Sequence, residues 1–367
     1  MKRTAVSLLA LALAAPVLVG ITPTAVATAP SRAIVKAHTA GRVELNDGVA
    51  QYSWPGVYFE GRFRGTGVGI VLHDTANDYD VQIDGTTVTT LVLPTDGTHW
   101  VNGLPDRVHG VRVVKRTESP WAVSGFGGFV AVRGGAVLAG PPDRRRQIEF
   151  IGDSFTAGYG NMSTSHDCGD QLNRLSNADA AFGAITARSL NADYQLNAFS
   201  GRGMVRNYGG GEPGTNFRTY YDRALLSDPD DVWHAPPSWH PQLVVVGLGI
   251  NDFSTALNPG EQWADQAALI ADYKAAYDGF LSKLRAKYPR AVIVASATYQ
   301  WNGTMYPDSV QSVVAARNAA GDKNIRYWYY PETDLDFLGC DWHPSAHDHK
   351  IIAQRLQDYI AGLSLRW

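Results

Sequence analysis

The sequence predicts an α/β protein in two parts: a three-layer α/β/α domain built on a parallel sheet, preceded by an all-β, jelly-roll-like domain. Two observations carry this reading. Over residues 34–138, short β-branched and aromatic runs recur between Gly, Asp, Asn and Pro, with no helical periodicity of useful length. After Gln147, apolar strand candidates alternate with helical ones, the pattern of a parallel sheet covered on both faces. With 367 residues, 45% of them hydrophobic, the chain is long enough to bury two cores.

The first element is a leader. Lys2 and Arg3 precede an apolar run over residues 5–19, and small residues then lead to a cut after Ala27, so residues 1–27 read as a secretory signal peptide. A membrane anchor needs about 20 apolar residues; this run is shorter and Pro16 interrupts it. No later stretch is apolar for long enough to span, so the expected mature protein is secreted, with no membrane partner.

The β domain is placed over residues 34–140, where the runs VYFEGRF, TGVGIVLH, DYDVQIDG, VTTLVLP and HGVRVVKRT are each bounded by turn residues. The stretch AGPPDRRR over residues 139–146 suits a surface connection, and the α/β domain follows over 145–367. Its strands are QIEFIG, DYQLNAF, QLVVVGLG, AVIVASAT and NIRYWYY, with DAAFGAITARSL as a helix after the first. A long helix is expected where Trp263, Ile270, Tyr273, Tyr277, Phe280 and Leu284 recur at intervals of seven, three and four before Pro289. A last helix is expected to start at Pro344 and to carry Ile351, Ile352, Leu356, Tyr359, Ile360 and Leu363 on one stripe.

Composition removes several function classes. Against 35 acidic residues stand 32 basic ones, a formal charge of −3 with no basic stripe, which excludes nucleic acid as a partner. The two cysteines, Cys168 and Cys340, have no third and fourth ligand to make a metal site with. In an oxidising compartment they read as one disulfide, the alternative being two free thiols.

Chemistry gathers at predicted strand ends. QIEFIG runs into Gly152-Asp153-Ser154-Phe155-Thr156-Ala157-Gly158, placing a serine where open α/β sheets bind ligands. The Ser154 amide is then an oxyanion donor beside its own nucleophilic hydroxyl. After DYQLNAF comes Ser200-Gly201-Arg202-Gly203, and after QLVVVGLG comes Ile250-Asn251-Asp252. A glycine amide and an asparagine side chain are neutral donors suited to a tetrahedral oxyanion. Each alone is as consistent with a turn or a helix cap; together, at three strand ends, they point to acyl transfer. The fourth block, Gly339-Cys340-Asp341-Trp342-His343-Pro344, offers His343 as general base to Ser154. His347 and His349 fall inside the last helix and read as surface residues.

The blocks GDS, SGRG, GIND and DWHP, in that order, resemble the SGNH or GDSL hydrolase superfamily. Preceded by a β-rich domain with the glycine-rich segment YFEGRFRGTGVGIVLHD, the whole resembles carbohydrate esterase family two, whose members are acetyl esterases acting on plant-wall polysaccharides. The resemblance implies an SGNH-type fold, Ser154 as nucleophile, His343 as base, and an oxyanion hole of the Ser154 amide, the Gly201 amide and the Asn251 side chain. The superfamily's usual aspartate, three residues before the histidine, is here Cys340, and Asp341 stands two before it. Asp341 is therefore expected to orient His343, with a backbone carbonyl as the alternative. Cys168 and Cys340 lie in loops expected at one rim.

Loop aromatics Tyr159, Trp233, Trp239, Trp301 and Trp342 are candidates for stacking on sugar rings, with Trp301 and Trp342 preferred and core packing the alternative for the rest. The expected substrate is an acetylated polysaccharide or oligosaccharide, cleaved through an acetyl-serine with no cofactor and no metal. Rival readings are a lipase or thioesterase of the same superfamily, and a carbohydrate-binding protein with a decayed hydrolase domain.

Overall fold

The computed structural model describes residues 37–367; the leader expected over 1–27 and the first residues of the expected β region, 34–36, lie outside the described residues. The chain first forms β1 (Glu44–Asn46), β2 (Val49–Tyr52), β3 (Tyr58–His73), β4 (Tyr79–Ile83), β5 (Thr86–Leu91), β6 (Gly97–Lys115), β7 (Ser124–Ala131) and β8 (Ala136–Leu138). They make one antiparallel sheet in the order β1-β2-β7-β3-β6-β4-β5, with β8 on β3. The runs VYFEGRF and TGVGIVLH, separate by sequence, belong to the single long β3. Its register against β6 breaks only between Gly65 and Gly67, where a bulge bends a strand instead of ending it. Before the break β3 also pairs β8, and after it β7, so β3 and β6 belong to both halves of the sheet. Phe63, Val68, Ile70, Leu72, Val81 and Phe126 point inward and are fully buried.

From Arg146 the strands are parallel: β9 (Arg146–Gly152), β10 (Ala192–Ala198), β11 (Leu243–Gly247), β12 (Val292–Thr298) and β13 (Ile325–Tyr330). Their order is β10-β9-β11-β12-β13. The chain leaves β9 to one side for β10 and to the other for β11, so the ends of β9 mark a topological switch point, where such sheets bind ligands. Between the strands lie α1 (Ser154–Ala157), α2 (Leu172–Leu175), α3 (Phe182–Ser189), α4 (Phe217–Tyr220), α5 (Ile250–Phe253), α6 (Gln266–Lys287) and α7 (Met305–Ala319), and α8 (Ala346–Ala361) follows β13. The helices pack in pairs, α3 with α8 and α6 with α7, and β9 to β12 are almost continuously buried.

Two helix starts differ from the sequence reading. Asp265 caps α6 by accepting from the Ala268 amide, which leaves Trp263 outside the helix. Ser345, not Pro344, precedes α8: its hydroxyl accepts from the Asp348 amide while the Asp348 carboxylate accepts from the Ser345 amide, a capping box that fixes the start two residues later. Tyr273, Tyr277, Phe280 and Leu284 on α6, and Ile352, Leu356 and Ile360 on α8, form the buried stripes.

Apolar side chains of both sheets form one continuous core. Charged contacts join the two sheets as well. Arg42, fully buried, pairs at 3.0 Å with Glu149 of β9, whose carboxylate also accepts from Tyr221 and Asn197. Arg112 of β6 pairs with Asp179 and Arg144 with Glu60 and Asp193. Among the described residues, no helix is long and apolar enough to cross a membrane.

Candidate active site

Strand β9 ends at Gly152, and Ser154 starts α1 with Asp153 as its cap, the Asp153 carboxylate accepting from the Phe155 amide. Burial pushes the Asp153 carboxyl up to about 7. The loop before α8 brings His343 over from the far end of the chain, so that its Nε2 lies 2.8 Å from Ser154 Oγ. Nδ1 lies 2.8 Å from the Cys340 carbonyl oxygen and 3.2 Å from that of Asp341. With the proton on Nδ1 and donated to these carbonyls, Nε2 is left to accept from the serine hydroxyl. Burial holds the imidazole below its ordinary value of 6.5, against a smaller upward pull from the two carbonyls and the Asp341 charge. Burial thus favours the neutral imidazole, the form able to take the serine proton.

The expected role of the Asp341 carboxylate is corrected here. Asp341 and Trp342 both adopt left-handed backbone, φ 51° and 62°, in the turn that presents the Cys340 and Asp341 carbonyls to Nδ1. That turn aims the Asp341 side chain outward, where Oδ2 accepts from the Tyr159 hydroxyl at 2.8 Å. The Tyr159 ring in turn lies 4.3 Å from the imidazole, tilted by 34°. A position two residues before the histidine offers its main chain to Nδ1, not its carboxylate. The backbone alternative is the one that the geometry supports.

The loops of the other predicted donors lie against the segment that carries Ser154: the Phe199 amide donates to the Gly152 carbonyl, and Asn251 reaches Asp153. Gly201 follows β10 with φ 78°, a left-handed turn open to glycine, and nothing approaches within 4 Å of where a Cβ would stand. Among the described residues, no internal acceptor takes the main-chain N–H of Ser154 or of Gly201. Asn251 at the start of α5 donates through Nδ2 to the Arg202 carbonyl at 3.0 Å; its contact to Asp153 Oδ2 is a long 3.4 Å, which leaves that N–H available to a better acceptor.

Two carboxylates hold these loops and were not read from the sequence. Asp252, beside Asn251 and fully buried, accepts from the amides of Met204, Val205 and Arg206 at 2.8 to 2.9 Å; burial pushes it up to about 6. Gly203 packs so closely on this carboxylate that a Cβ there would lie 2.5 Å from Oδ2. Glu118, from the loop after β6, accepts from the Ser200 amide at 2.9 Å and from its hydroxyl. Burial pushes the Glu118 carboxyl up and the two Ser200 bonds pull it back. Asp252 was legible as part of GIND; Glu118 had no motif to mark it.

Cys168 and Cys340 are disulfide-bonded, with Cα atoms 5.5 Å apart, and so the bridge anchors the residue whose carbonyl orients His343. Trp301 is 66% exposed, on a loop tied to α5 by Gln300 and Asn302, and Trp342 is 65% exposed and stacked at 3.5 Å on His166. Trp233 and Trp239 are buried, which makes them packing residues. His349 is also buried, accepting from the Phe182 amide, with burial driving it down to about 3; it is not the surface histidine expected, because it lies on the face of α8 turned to α3. Asp336, His347 and Asp348 offer ligand atoms within 4.8 Å of one another. The Asp348 oxygens there already take the amides of Asp336, Phe337 and Ser345, which ties the loop to the start of α8.

Comparison with known proteins fits this geometry. The family model for carbohydrate esterase 2 N-terminal regions matches residues 39–141, and that for GDSL-like lipases and acylhydrolases matches residues 148–356. An acetylxylan esterase / glucomannan deacetylase of Cellvibrio japonicus is 39% identical over 88% of this chain and 90% of its own. A solved carbohydrate esterase, whose active site displays divergent catalytic and non-catalytic binding functions, superposes with TM-score 0.82 at 38% identity over 89% of this chain and 98% of its own. A family two carbohydrate esterase from Clostridium thermocellum in complex with cellohexaose gives TM-score 0.78 at 32% identity over 88% and 98%.

Proposed function

This chain belongs to the GDSL-like acylhydrolases and, within them, to carbohydrate esterase family 2, and on that premise we propose that it is a serine esterase removing O-acetyl groups from acetylated xylan or glucomannan. The observation that carries the mechanism is the 2.8 Å contact between Ser154 Oγ and His343 Nε2 at the carboxyl end of β9. His343 takes the serine proton, and Oγ attacks the acetyl carbonyl. The resulting oxyanion is held by the Ser154 and Gly201 amides and the Asn251 side chain. The imidazolium, stabilised by the Cys340 and Asp341 carbonyls, gives its proton to the leaving sugar oxygen, and an acetyl-serine remains. His343 then deprotonates a water that attacks the acetyl carbonyl, and the imidazolium returns that proton to Ser154 Oγ as the bond to the acetyl group breaks and acetate leaves.

Exposed Trp301 and Trp342 suit sugar rings, which present an apolar face to an indole. We also place the enzyme outside the cytoplasm, a reading supported by the leader pattern and by the disulfide; secreted protein whose N-terminus is Thr28 is the expected outcome of sequencing. The test of function is acetate release from acetylated xylan and glucomannan, with Ser154→Ala and an acetate-to-butyrate series of aryl esters alongside. Release that disappears in the Ser154 variant, with acetate preferred, is the expected result. No release from either polymer, with butyrate cleaved faster, refutes the carbohydrate reading in favour of longer acyl esters.

A further inference from the structure

The three donors of the oxyanion hole sit on three loops, and one of those loops is held from outside its own sheet. The Gly201 N–H belongs to the peptide between Ser200 and Gly201, so its aim depends on how Ser200 is fixed. Phe199 is anchored by its amide on the Gly152 carbonyl at 3.1 Å, and the Gly201 carbonyl accepts from the Tyr208 amide at 2.9 Å. Between these anchors the turn passes through a glycine at φ 78°, which has no side chain to lock it. Both donors of Ser200, the amide and the hydroxyl, go to the two oxygens of Glu118.

The loop that carries Glu118 is tied down on both sides of it. Its neighbours Thr117 and Ser119 both donate their hydroxyls to Asn77 Oδ1 at 2.8 Å. The buried Lys115 ammonium donates to the Thr117 carbonyl at 2.7 Å and to that of Ser53 at 2.9 Å. The Arg116 carbonyl accepts from the Ala178 amide at 2.8 Å, which docks this loop on the parallel-sheet part of the molecule. A preorganised carboxylate that saturates both donors of Ser200 is a stronger clamp than one neutral bond, because hydrogen bonds to charged groups are the stronger class.

We propose that Glu118 is a positioning residue of the esterase: from the loop after β6 it clamps Ser200, and through Ser200 it aims the Gly201 amide at the developing oxyanion. The β region is then part of the catalytic apparatus as well as a partner in packing. This rests on the Ser154 esterase reading above. Displacement of a catalytic group by about 1 Å can cost on the order of a hundredfold in rate, and loss of a whole oxyanion donor costs a hundredfold to about a thousandfold. Loss of the clamp is expected to fall at or below the first of these.

The experiment uses the full chain and two variants, Glu118→Ala and Glu118→Gln, with 4-nitrophenyl acetate as substrate and a phenylboronic acid as a probe that adds to Ser154 and places an oxygen in the oxyanion hole. For Glu118→Ala, kcat is expected to fall about tenfold to a hundredfold with KM within about twofold, and boronate affinity to fall in parallel with kcat. Glu118→Gln keeps the shape and one acceptor oxygen, and so is expected to lose less than Glu118→Ala on both readouts. Packing alone would lower the melting temperature and leave the boronate affinity of the folded enzyme unchanged. Variants with wild-type kcat, or with reduced kcat and unchanged boronate affinity, overturn the proposal. If Glu118→Ala does not fold, Glu118→Gln decides it by the same two readouts, a parallel loss supporting the clamp and wild-type values refuting it. Inactive wild-type protein would refute the esterase reading itself, whereas active wild type with indifferent variants refutes only the role of Glu118.

Discussion

Replacing Asp341 by Asn separates a histidine oriented by main-chain carbonyls from one oriented by a carboxylate. Asparagine keeps the size of the side chain and tolerates the left-handed φ of 51° at this position. In the structure the carboxylate meets the Tyr159 hydroxyl at 2.8 Å, while Nδ1 is served by the Cys340 and Asp341 carbonyls. The substitution therefore weakens one charge-assisted hydrogen bond to an exposed oxygen, a loss of about 1 kcal/mol, of which only part is felt in the transition state. Since about 1.4 kcal/mol is tenfold in rate, kcat on 4-nitrophenyl acetate should fall by less than about tenfold. A carboxylate acting directly on Nδ1 would lose about four orders of magnitude on the same change. The pH profile supplies a second check. The Asp341 charge favours the imidazolium and raises the His343 pKa, though burial keeps the net value below 6.5. Wild-type kcat/KM should accordingly rise with pH along a limb whose midpoint lies below 6.5, and in Asp341→Asn that limb should move to lower pH. A thousandfold drop in kcat, on the order of that for a lost triad acid, or a limb that moves upward, would refute the reasoning.

Further outcomes follow from the same geometry. Asn251→Ala removes an oxyanion donor and should lower kcat by a hundredfold to about a thousandfold with little change in KM; a loss under about fivefold in steady-state assays would remove Asn251 from the oxyanion hole. Arg42→Ala leaves Glu149 charged and fully buried, which should cost about 3–5 kcal/mol of unfolding free energy in a urea titration. The double change Arg42→Met with Glu149→Leu should cost less than Arg42→Met or Glu149→Leu alone, and a simple sum of those two single costs would contradict a coupled pair. Reduction of the disulfide between Cys168 and Cys340, 172 residues apart, should lower stability by up to about 5 kcal/mol and also lower kcat, because Cys340 carries the carbonyl that orients His343. Unchanged kcat in the reduced, folded enzyme would argue that the turn holds itself.

Much of the site was legible because it is local. Ser154, Gly201 and Asn251 each sit within a few residues of a strand end, and strands buried on both faces announce themselves as apolar runs such as QLVVVGLG. His343 was legible as the histidine of DWHP, whereas His349, six residues on, has an environment set by α3 against α8 and by nothing near it in sequence. Trp263 kept the spacing of α6 but lies before its cap, since helix ends are decided by side-chain capping and not by periodicity. Strand β3 ran through the Gly65 region because a bulge and a turn share the same residue signal.

The sequence alone determined the fold class and the candidate nucleophile, base and oxyanion donors, since periodicity and short motifs act over a few residues of chain. It also determined that the two cysteines had only each other to pair with. Tertiary structure decided which atom orients His343, the placing of the Asp341 carboxylate on Tyr159, and the reach of Glu118 across 82 residues to Ser200. Those are matters of where side chains point once distant segments meet, and a backbone carbonyl, which every residue possesses, leaves no mark in a sequence when it takes over the work of a carboxylate.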